Sequence, residues 1–176
     1  MKNRNQLISH LRTSFCALVI VGALSTLPGA EAGTPQPASG QFVPCFNYAG
    51  PPRQVGENLI ITFNITGTVT GTFTGSLTGT ELDIVHRDGS ITKQGSAVLT
   101  GSVTGRSGTG TLQFSFEGIG NAVTGHETLR GVARQGTGAL SGVYVEETLE
   151  GDVGAPNPGC ALSGTGTYNG QILLVP

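Results

Sequence analysis

The stretch Thr66–Thr80, T-G-T-V-T-G-T-F-T-G-S-L-T-G-T, decides the fold class of this chain. Glycine recurs every four residues, and Val69, Phe73 and Leu77 fall midway between successive glycines. Because side chains of a strand alternate between two faces, one face carries glycine and large apolar residues while the other carries a row of hydroxyls. Inward faces of small β-barrels often alternate small and large side chains. The stretch therefore predicts barrel strands that bend at their glycines.

The composition of the whole chain also favours an all-β fold. Of its 176 residues, 29 are Gly and only 11% are charged, against about 25% in typical domains. A helical bundle is disfavoured because each Gly costs about 1 kcal/mol in a helix interior. The formal net charge of −2 argues against a polyanion-binding protein, so no nucleic-acid partner is expected.

The first 32 residues have the three parts of a secretory signal peptide. Met1–Arg12 is basic, the apolar run Phe15–Leu24 follows, and Ala30-Glu31-Ala32 matches a small-residue cleavage site. The apolar run is shorter than the ~20 residues of a membrane-spanning helix, so no transmembrane segment is expected after cleavage. The sequence predicts bacterial export to a secreted or periplasmic location, with an uncleaved anchor as the alternative.

Cleavage would leave two cysteines, Cys45 and Cys160, because Cys16 lies in the signal peptide. Two cysteines in an exported chain favour one disulfide. Two free thiols or a metal pair are the alternatives, although no third ligand lies near either cysteine in the sequence. The disulfide would close a long loop, and the chain-entropy estimate of its contribution is roughly 4–5 kcal/mol.

Prolines mark the limits of the predicted barrel domain. None lies between Pro52 and Pro156, and proline is kept out of sheet interiors because it cannot donate to a β ladder. Residues 33–56 are therefore predicted to be an extended Pro-rich leader and residues 57–176 a single β-barrel domain. Short turns such as Asp88-Gly89 divide this domain. The eight predicted strands lie near 57–66, 69–86, 91–104, 110–117, 122–134, 139–149, 161–168 and 170–175, which favours a closed antiparallel eight-stranded barrel.

Five pieces in order carry a resemblance to a known family: Gly71–Thr80, the Asp88-Gly89 turn, Gly101–Gly108, the strand with Phe114 and Phe116, and Gly136–Gly142. Over roughly Gly67–Leu174 the chain resembles a bacterial family of unknown function with an allene-oxide-cyclase-like barrel. The resemblance implies a calycin-like barrel with a central cavity. Enzymes that share this barrel steer reactive intermediates through cavity shape, often as trimers or dimers, which would make this chain a homo-oligomer. None of their catalytic motifs matches here residue by residue, and fold alone does not assign activity.

Acidic residues on apolar strand faces are the candidate catalytic groups. Glu127 shares the odd-numbered face of its strand with Leu129, and Glu81 and Asp83 continue the glycine and apolar face of theirs unless a bulge intervenes. A carboxylate directed into an apolar cavity is desolvated, which raises its pKa and suits it to general acid or base catalysis. Glu127 and Glu81 are the predicted catalytic residues. The alternative is that these acids are solvated at the barrel mouth.

Further residues are predicted to line a ligand cavity, which in proteins is mainly apolar with a few polar groups. They are Phe63, Phe73, Leu77, Phe114, Phe116, Leu129, Tyr144 and Glu147. No metal site and no cofactor are predicted, because the histidines His86 and His126 fall at polar positions and no nucleotide-binding or zinc motif is present.

Three functions are compatible with the sequence. The first is an exported barrel that binds a small apolar molecule in its cavity. The second is a cyclase-like or isomerase-like enzyme that uses Glu127 or Glu81. The third is an envelope or surface protein with no small ligand, whose outer threonine row contacts protein or glycan.

Overall fold

The computed structural model describes residues 33–154 and 156–175, and the predicted signal peptide lies outside these residues. The described residues form nine β-strands and one 3-10 helix, Gly138–Leu140. The strands are β1 (Gln36–Tyr48), β2 (Arg53–Val55), β3 (Asn58–Gly71), β4 (Phe73–Val85), β5 (Ser90–Val103), β6 (Gly110–Asn121), β7 (His126–Gly136), β8 (Val143–Val153) and β9 (Leu162–Leu174).

Eight of these strands close into an antiparallel barrel, which confirms the predicted fold class. The order around the barrel is β1-β9-β8-β7-β6-β5-β4-β3, and β3 pairs in turn with β1. The short strand β2 is additional and pairs with the first residues of β3. Closure pairs each of the eight strands on both sides, so none presents an unprotected edge.

The segment that we predicted as a leader is extended, and 36–48 of it form the strand that closes the barrel. β1 pairs with β3, where Phe46 lies opposite Ile65, and with β9, where Phe42 lies opposite Gly166. The β1–β9 ladder is interrupted at Val43 and Pro44, where proline has no N–H to donate. The barrel therefore begins before residue 57, because a proline at one ladder position does not prevent the rest of a strand from pairing.

The last strand also differs from the prediction in its extent. We predicted a pair of short strands, 161–168 and 170–175, but β9 is continuous and pairs with both β1 and β8. The predicted Asp88-Gly89 turn does join β4 to β5, with the Ser90 N–H donating to Asp88 Oδ1 at 3.0 Å. The barrel therefore has the predicted number of eight strands. The two predicted last strands are one strand, β9, and β1 is the eighth.

Glycines on the inner face allow the strands to approach and coil. Gly75 on β4 lies opposite Gly101 on β5, and a Cβ on Gly75 would collide with the Thr100 carbonyl oxygen. A Cβ on Gly101 would collide in the same way with the Thr74 carbonyl oxygen. Gly71, at φ 109°, sits in the left-handed region that favours glycine and turns the chain from β3 into β4.

One end of the barrel, which we call the closed end, is filled by the main apolar core. Leu112 and Leu140 are both 0% exposed, and Leu140 belongs to the 3-10 helix that covers this end. Arg106, in the β5–β6 turn, donates to the Val175 carbonyl at 2.6 Å and also to the Ser141 carbonyl. These bonds hold the turn, the helix and the end of β9 together.

Cys45 and Cys160 form a disulfide, with their Cα atoms 5.3 Å apart. The disulfide joins β1 to the loop before β9, near the opposite end of the barrel, which we call the open end. The same loop is held by Asn47, whose side-chain amide donates to the Gly159 carbonyl at 3.1 Å. No helix in residues 33–154 and 156–175 is long and apolar enough to cross a membrane.

Candidate functional site

Strand β4 directs two acids into the barrel near its open end. Its pairing is continuous with β5 from Phe73 to Val85 and with β3 from Gly75 to Val85, without a bulge. The alternation that buries Phe73 therefore also buries Glu81 and Asp83. The structure thereby settles the direction of these two side chains, which the sequence left dependent on a bulge.

Strand β5 adds a buried lysine that the site prediction did not include. Lys93 lies directly opposite Asp83 and shares its face of the strand with Ala97 and Leu99, both buried. The sequence indicates this burial, because Lys93 is odd-numbered like Ala97 and Leu99 and so lies on the same face of the strand. Gly118 and Gly120 on β6 leave room for its stem, and a Cβ on Gly120 would lie 3.3 Å from Lys93 Cε.

The lysine is surrounded by three carboxylates, which we call the Lys93 cluster: Glu81, Asp83, Lys93 and Glu127. Lys93 Nζ lies 2.6 Å from Glu81 Oε1, 2.9 Å from Glu127 Oε2 and 3.2 Å from Asp83 Oδ2. All four residues are at most 5% exposed. The Phe46 ring packs beside the cluster, with its centroid 5.7 Å from Nζ.

The hydrogen bonding of the cluster is incomplete. Only the contact of Lys93 with Glu81 has hydrogen-bond geometry. Asp83 Oδ1 and Glu127 Oε2 are buried and accept no hydrogen bond from the described residues, although Glu127 Oε2 is at ion-pair distance from Nζ. A buried acceptor without a donor is costly, so these two oxygens mark a place where another donor would fit.

The cluster contains three carboxyl groups and one amine, and this excess of acids helps to raise the pKa values of Glu81 and Lys93. Burial, together with the neighbouring Asp83 carboxylate, raises the pKa of Glu81 from 4.5 to about 8, against the opposing effect of Lys93. Burial lowers the pKa of Lys93, but the three carboxylates outweigh burial and raise this pKa above its ordinary value. At neutral pH the cluster therefore favours a charged lysine and a protonated Glu81.

Two neighbouring spaces share lining residues at this cluster. A mouth of about 500 Å³ opens at the open end and is bordered by Asp83, Lys93 and the β6–β7 loop. Deeper in the barrel is an apolar chamber of about 80 Å³. Phe46, Glu81 and Glu127 border both spaces. The mouth is in the size range of ligand pockets, about 300–1,000 Å³, whereas packed side chains leave the chamber much smaller.

A second buried acid, Glu147 on β8, borders the chamber away from the cluster. It lies between Gly131 on β7 and Gly170 on β9, its direct partners on the two neighbouring strands. Both positions need a small residue. A Cβ on Gly131 would lie 3.1 Å from Glu147 Cγ, and a Cβ on Gly170 would lie 2.8 Å from Glu147 Cβ. Burial raises the pKa of Glu147 from 4.5 to about 7, so its protonation changes near neutral pH.

The structure brings most of the residues named from the sequence to these spaces. The following border the chamber: Glu81, Glu127, Glu147, Phe73, Leu77, Phe114, Phe116 and Leu129. Phe63 borders the mouth instead. Tyr144 lies on the outer face of β8 and is 44% exposed, because its position has the opposite parity to the buried Val143 and Val145.

Other residues of the site were not identified from the sequence. Besides Lys93, they include Phe42 and Phe46, which belong to the strand that we predicted as a leader. Tyr168 was in a predicted strand but was not selected for the site. Its hydroxyl donates to the Thr70 carbonyl at 3.2 Å and accepts from the Phe73 N–H at 3.0 Å, which fixes the ring against the chamber.

The fold and the site together define a closed eight-stranded antiparallel barrel with an acid-rich charged cluster at one end of a mainly apolar interior. Comparison with solved structures finds this fold in a crystal structure of a protein of unknown function from the DUF3224 family of Shewanella oneidensis. The TM-score is 0.61 at 18% sequence identity, over 81% of this chain and 99% of that chain. This similarity shows the fold alone. No protein-family model matches the chain, and no curated protein matches it.

Proposed function

We propose that this protein is exported and binds a small, mainly apolar molecule that carries a hydrogen-bond donor. The observation that carries the proposal is a buried oxygen at the border of the mouth, Asp83 Oδ1, which accepts no hydrogen bond from the described residues. A hydroxyl or amino group of a ligand would supply the missing donor, and the apolar body would pack against Phe46 and Phe63.

The disulfide supports export, because disulfides persist in oxidising compartments. The pattern of residues 1–32 supports a bacterial signal peptide. We also propose that the barrel is of the allene-oxide-cyclase-like type, which is expected to hold its ligand in a central cavity.

Binding is tested by thermal shift and calorimetry with three probes that share one apolar chain: octanol, octylamine and octanoate. We expect octanol and octylamine to raise the melting temperature and octanoate to leave it unchanged, because a carboxylate brings no donor and is repelled by the acids. If none of the three probes binds, or octanoate binds best, the proposed site is wrong.

A matched pair of variants locates the binding. The end of the probe's apolar chain is expected to pass Phe46 into the chamber, which Ala97 borders at 3% exposure. Ala97→Leu should fill the chamber and so weaken binding of the probe. Val98 is the next residue and points outward, 37% exposed. Val98→Leu should bind as the parent does. Equal weakening by both variants would place the ligand outside the barrel.

A second function, proton transfer in a cyclase-like or isomerase-like reaction, is favoured by the raised pKa of Glu81. An acid that titrates near neutral pH suits general acid or base catalysis. Glu127, which borders both spaces, would be the partner group. The test identifies the compound that co-purifies by mass spectrometry and follows its conversion. We expect Glu127→Gln to abolish conversion while the fold is retained, and unchanged conversion would exclude Glu127.

A further inference from the structure

We propose that Lys93 Nζ and the carboxyl group of Asp83 condense into an intramolecular amide bond, a covalent modification that joins β4 to β5. This inference does not depend on the binding of a ligand. It rests on the placement of an amine, an electrophilic carboxyl group and two further carboxyl groups in one buried space.

The geometry brings the reacting groups together. Asp83 and Lys93 are direct cross-strand partners, and such residues have Cβ atoms about 5 Å apart. Nζ lies 3.2 Å from Asp83 Oδ2, an oxygen bonded directly to Cγ, the atom that Nζ would attack. Because the barrel holds both groups in place, their effective concentration is far above that of free groups in solution.

Unlike Glu127, which lies two strands away on β7, the Asp83 carboxyl group stands directly opposite Lys93 in the β4–β5 ladder. Its contact with Lys93 lacks hydrogen-bond geometry, and its Oδ1 accepts no hydrogen bond within the described residues. Glu81 instead holds Nζ in a hydrogen bond of 2.6 Å. Glu127 lies 2.9 Å from Nζ and is placed to take a proton. Asp83 is therefore the acceptor of the new bond, and the two glutamates move protons.

The protons and electrons balance within the cluster. Glu127 takes one proton from the Lys93 ammonium, and protonated Glu81 gives its proton to an Asp83 oxygen. The Lys93 nitrogen lone pair forms the C–N bond at Asp83 Cγ while the π pair of the C=O bond moves to the other Asp83 oxygen. A second proton then passes from the nitrogen to Glu81, and the oxygen's pair re-forms the C=O bond as water leaves. The protonated oxygen takes the proton held by Glu127 and leaves as water with the electron pair of its C–O bond.

The result is an amide, one water, a protonated Glu81 and an ionised Glu127, with the total charge unchanged. The raised pKa of Lys93 keeps its amine form scarce, but the reaction needs to occur only once in each molecule. Condensation is favoured because a neutral amide replaces an ammonium and a carboxylate that are both buried, at a cost in desolvation. The released water can leave through the mouth, which Asp83 and Lys93 border.

The test is the intact mass of the full chain, purified, reduced and denatured. We expect the chain to be lighter than its sequence mass by one water molecule, whereas Lys93→Arg, processed identically, has its full mass. A full-mass parent chain overturns the proposal, and this result requires no variant to fold.

Tryptic mapping locates the bond. Trypsin does not cleave after an acylated lysine, so fragment 88–106, uncut at Lys93, should be joined to fragment 54–87, which contains Asp83. Asp83→Ala should remove the link, whereas Glu81→Gln should retain it in reduced yield. A link to fragment 107–130, which contains Glu127, or a link that survives in Asp83→Ala, would overturn the assignment to Asp83.

One side reaction has the same mass and needs a control. An Asp-Gly sequence such as Asp88-Gly89 can also lose water by cyclisation onto its own backbone. That product leaves Lys93 open to trypsin and joins no fragments. A loss of water without linked fragments therefore counts against the amide.

Discussion

The two ends of the barrel are built from the same alternation of inward and outward residues but contain opposite chemistry. At the closed end the inward positions are apolar, as at Leu112 and Leu140, and Arg106 bonds to backbone carbonyls. At the open end the inward positions of β4, β5 and β7 carry the Lys93 cluster. The difference indicates that packing at the closed end stabilises the fold, while the open end keeps costly buried charge that a purely structural core does not need.

The largest expected effect follows from loss of the Cys45–Cys160 disulfide at the open end. Replacing Cys45 and Cys160 with Ser should lower the free energy of unfolding by roughly 4–5 kcal/mol, because the disulfide closes a long loop in the unfolded chain. Urea denaturation of the parent and the double variant measures this change. A midpoint that does not move would mean that the hydrogen bonds of Asn47 alone secure the loop.

The next effect tests the charge of the open end. Lys93→Met removes the side chain that contacts all three acids of the cluster, whether as an ammonium or joined to Asp83. Buried carboxyl groups are then left without a partner, and we expect a loss of about 3–5 kcal/mol. The same denaturation experiment measures it.

The matched control for Lys93→Met is Arg87→Met at the exposed Arg87–Glu57 pair. In this pair Arg87 Nη1 lies 2.8 Å from Glu57 Oε1, as close as the contacts of Lys93. An exposed pair contributes under about 1 kcal/mol, so this variant should be nearly neutral. Adding Glu81→Gln, Asp83→Asn and Glu127→Gln to Lys93→Met should recover stability if unpaired charge is the cause. Equal effects of the two single variants would contradict the burial of the cluster.

Packing at the closed end is tested by Leu140→Ala. Truncation of a fully buried leucine leaves a cavity, and we expect a loss of about 3 kcal/mol. Ile119→Ala, at an outward position that is 68% exposed, serves as the control with little change. Probe binding at the mouth should persist in Leu140→Ala, since the residue borders neither space. If binding disappears, the two ends are not independent.

The smallest effect is a pH dependence at Glu147. Since burial raises its pKa from 4.5 to about 7, the folded chain holds a proton that the unfolded chain has lost. The stabilisation is complete below pH 4.5 and is lost as the pH rises through about 7. Glu147→Gln should therefore be about 2 kcal/mol more stable than the parent at pH 6, with a difference that shrinks toward pH 4. A difference that is constant with pH would show that folding does not change the pKa of Glu147.

Much of the site could be predicted from the alternation in the sequence, and the errors have identifiable causes. Glu81 and Glu127 were placed on inward faces because the period of two holds along an uninterrupted strand. The prediction that Tyr144 lines the ligand cavity is wrong. Tyr144 is adjacent to the inward-facing Val143 in β8, so its side chain lies on the outer face of the strand. Phe46 was missed because prolines nearby favoured a leader, and a ladder can omit the one hydrogen bond that Pro44 lacks.

The all-β class, and the face of its strand on which each side chain lies, follow from the order of residues alone, because alternation is a local property of the backbone. Only the tertiary structure decided which inward residues meet. Lys93 on β5 reaches Glu127 on β7 across the glycines of β6, and this contact depends on the register of two strand pairs. Register and closure are set by the whole barrel, since one-residue shifts in pairing move every side chain of a strand to the other face.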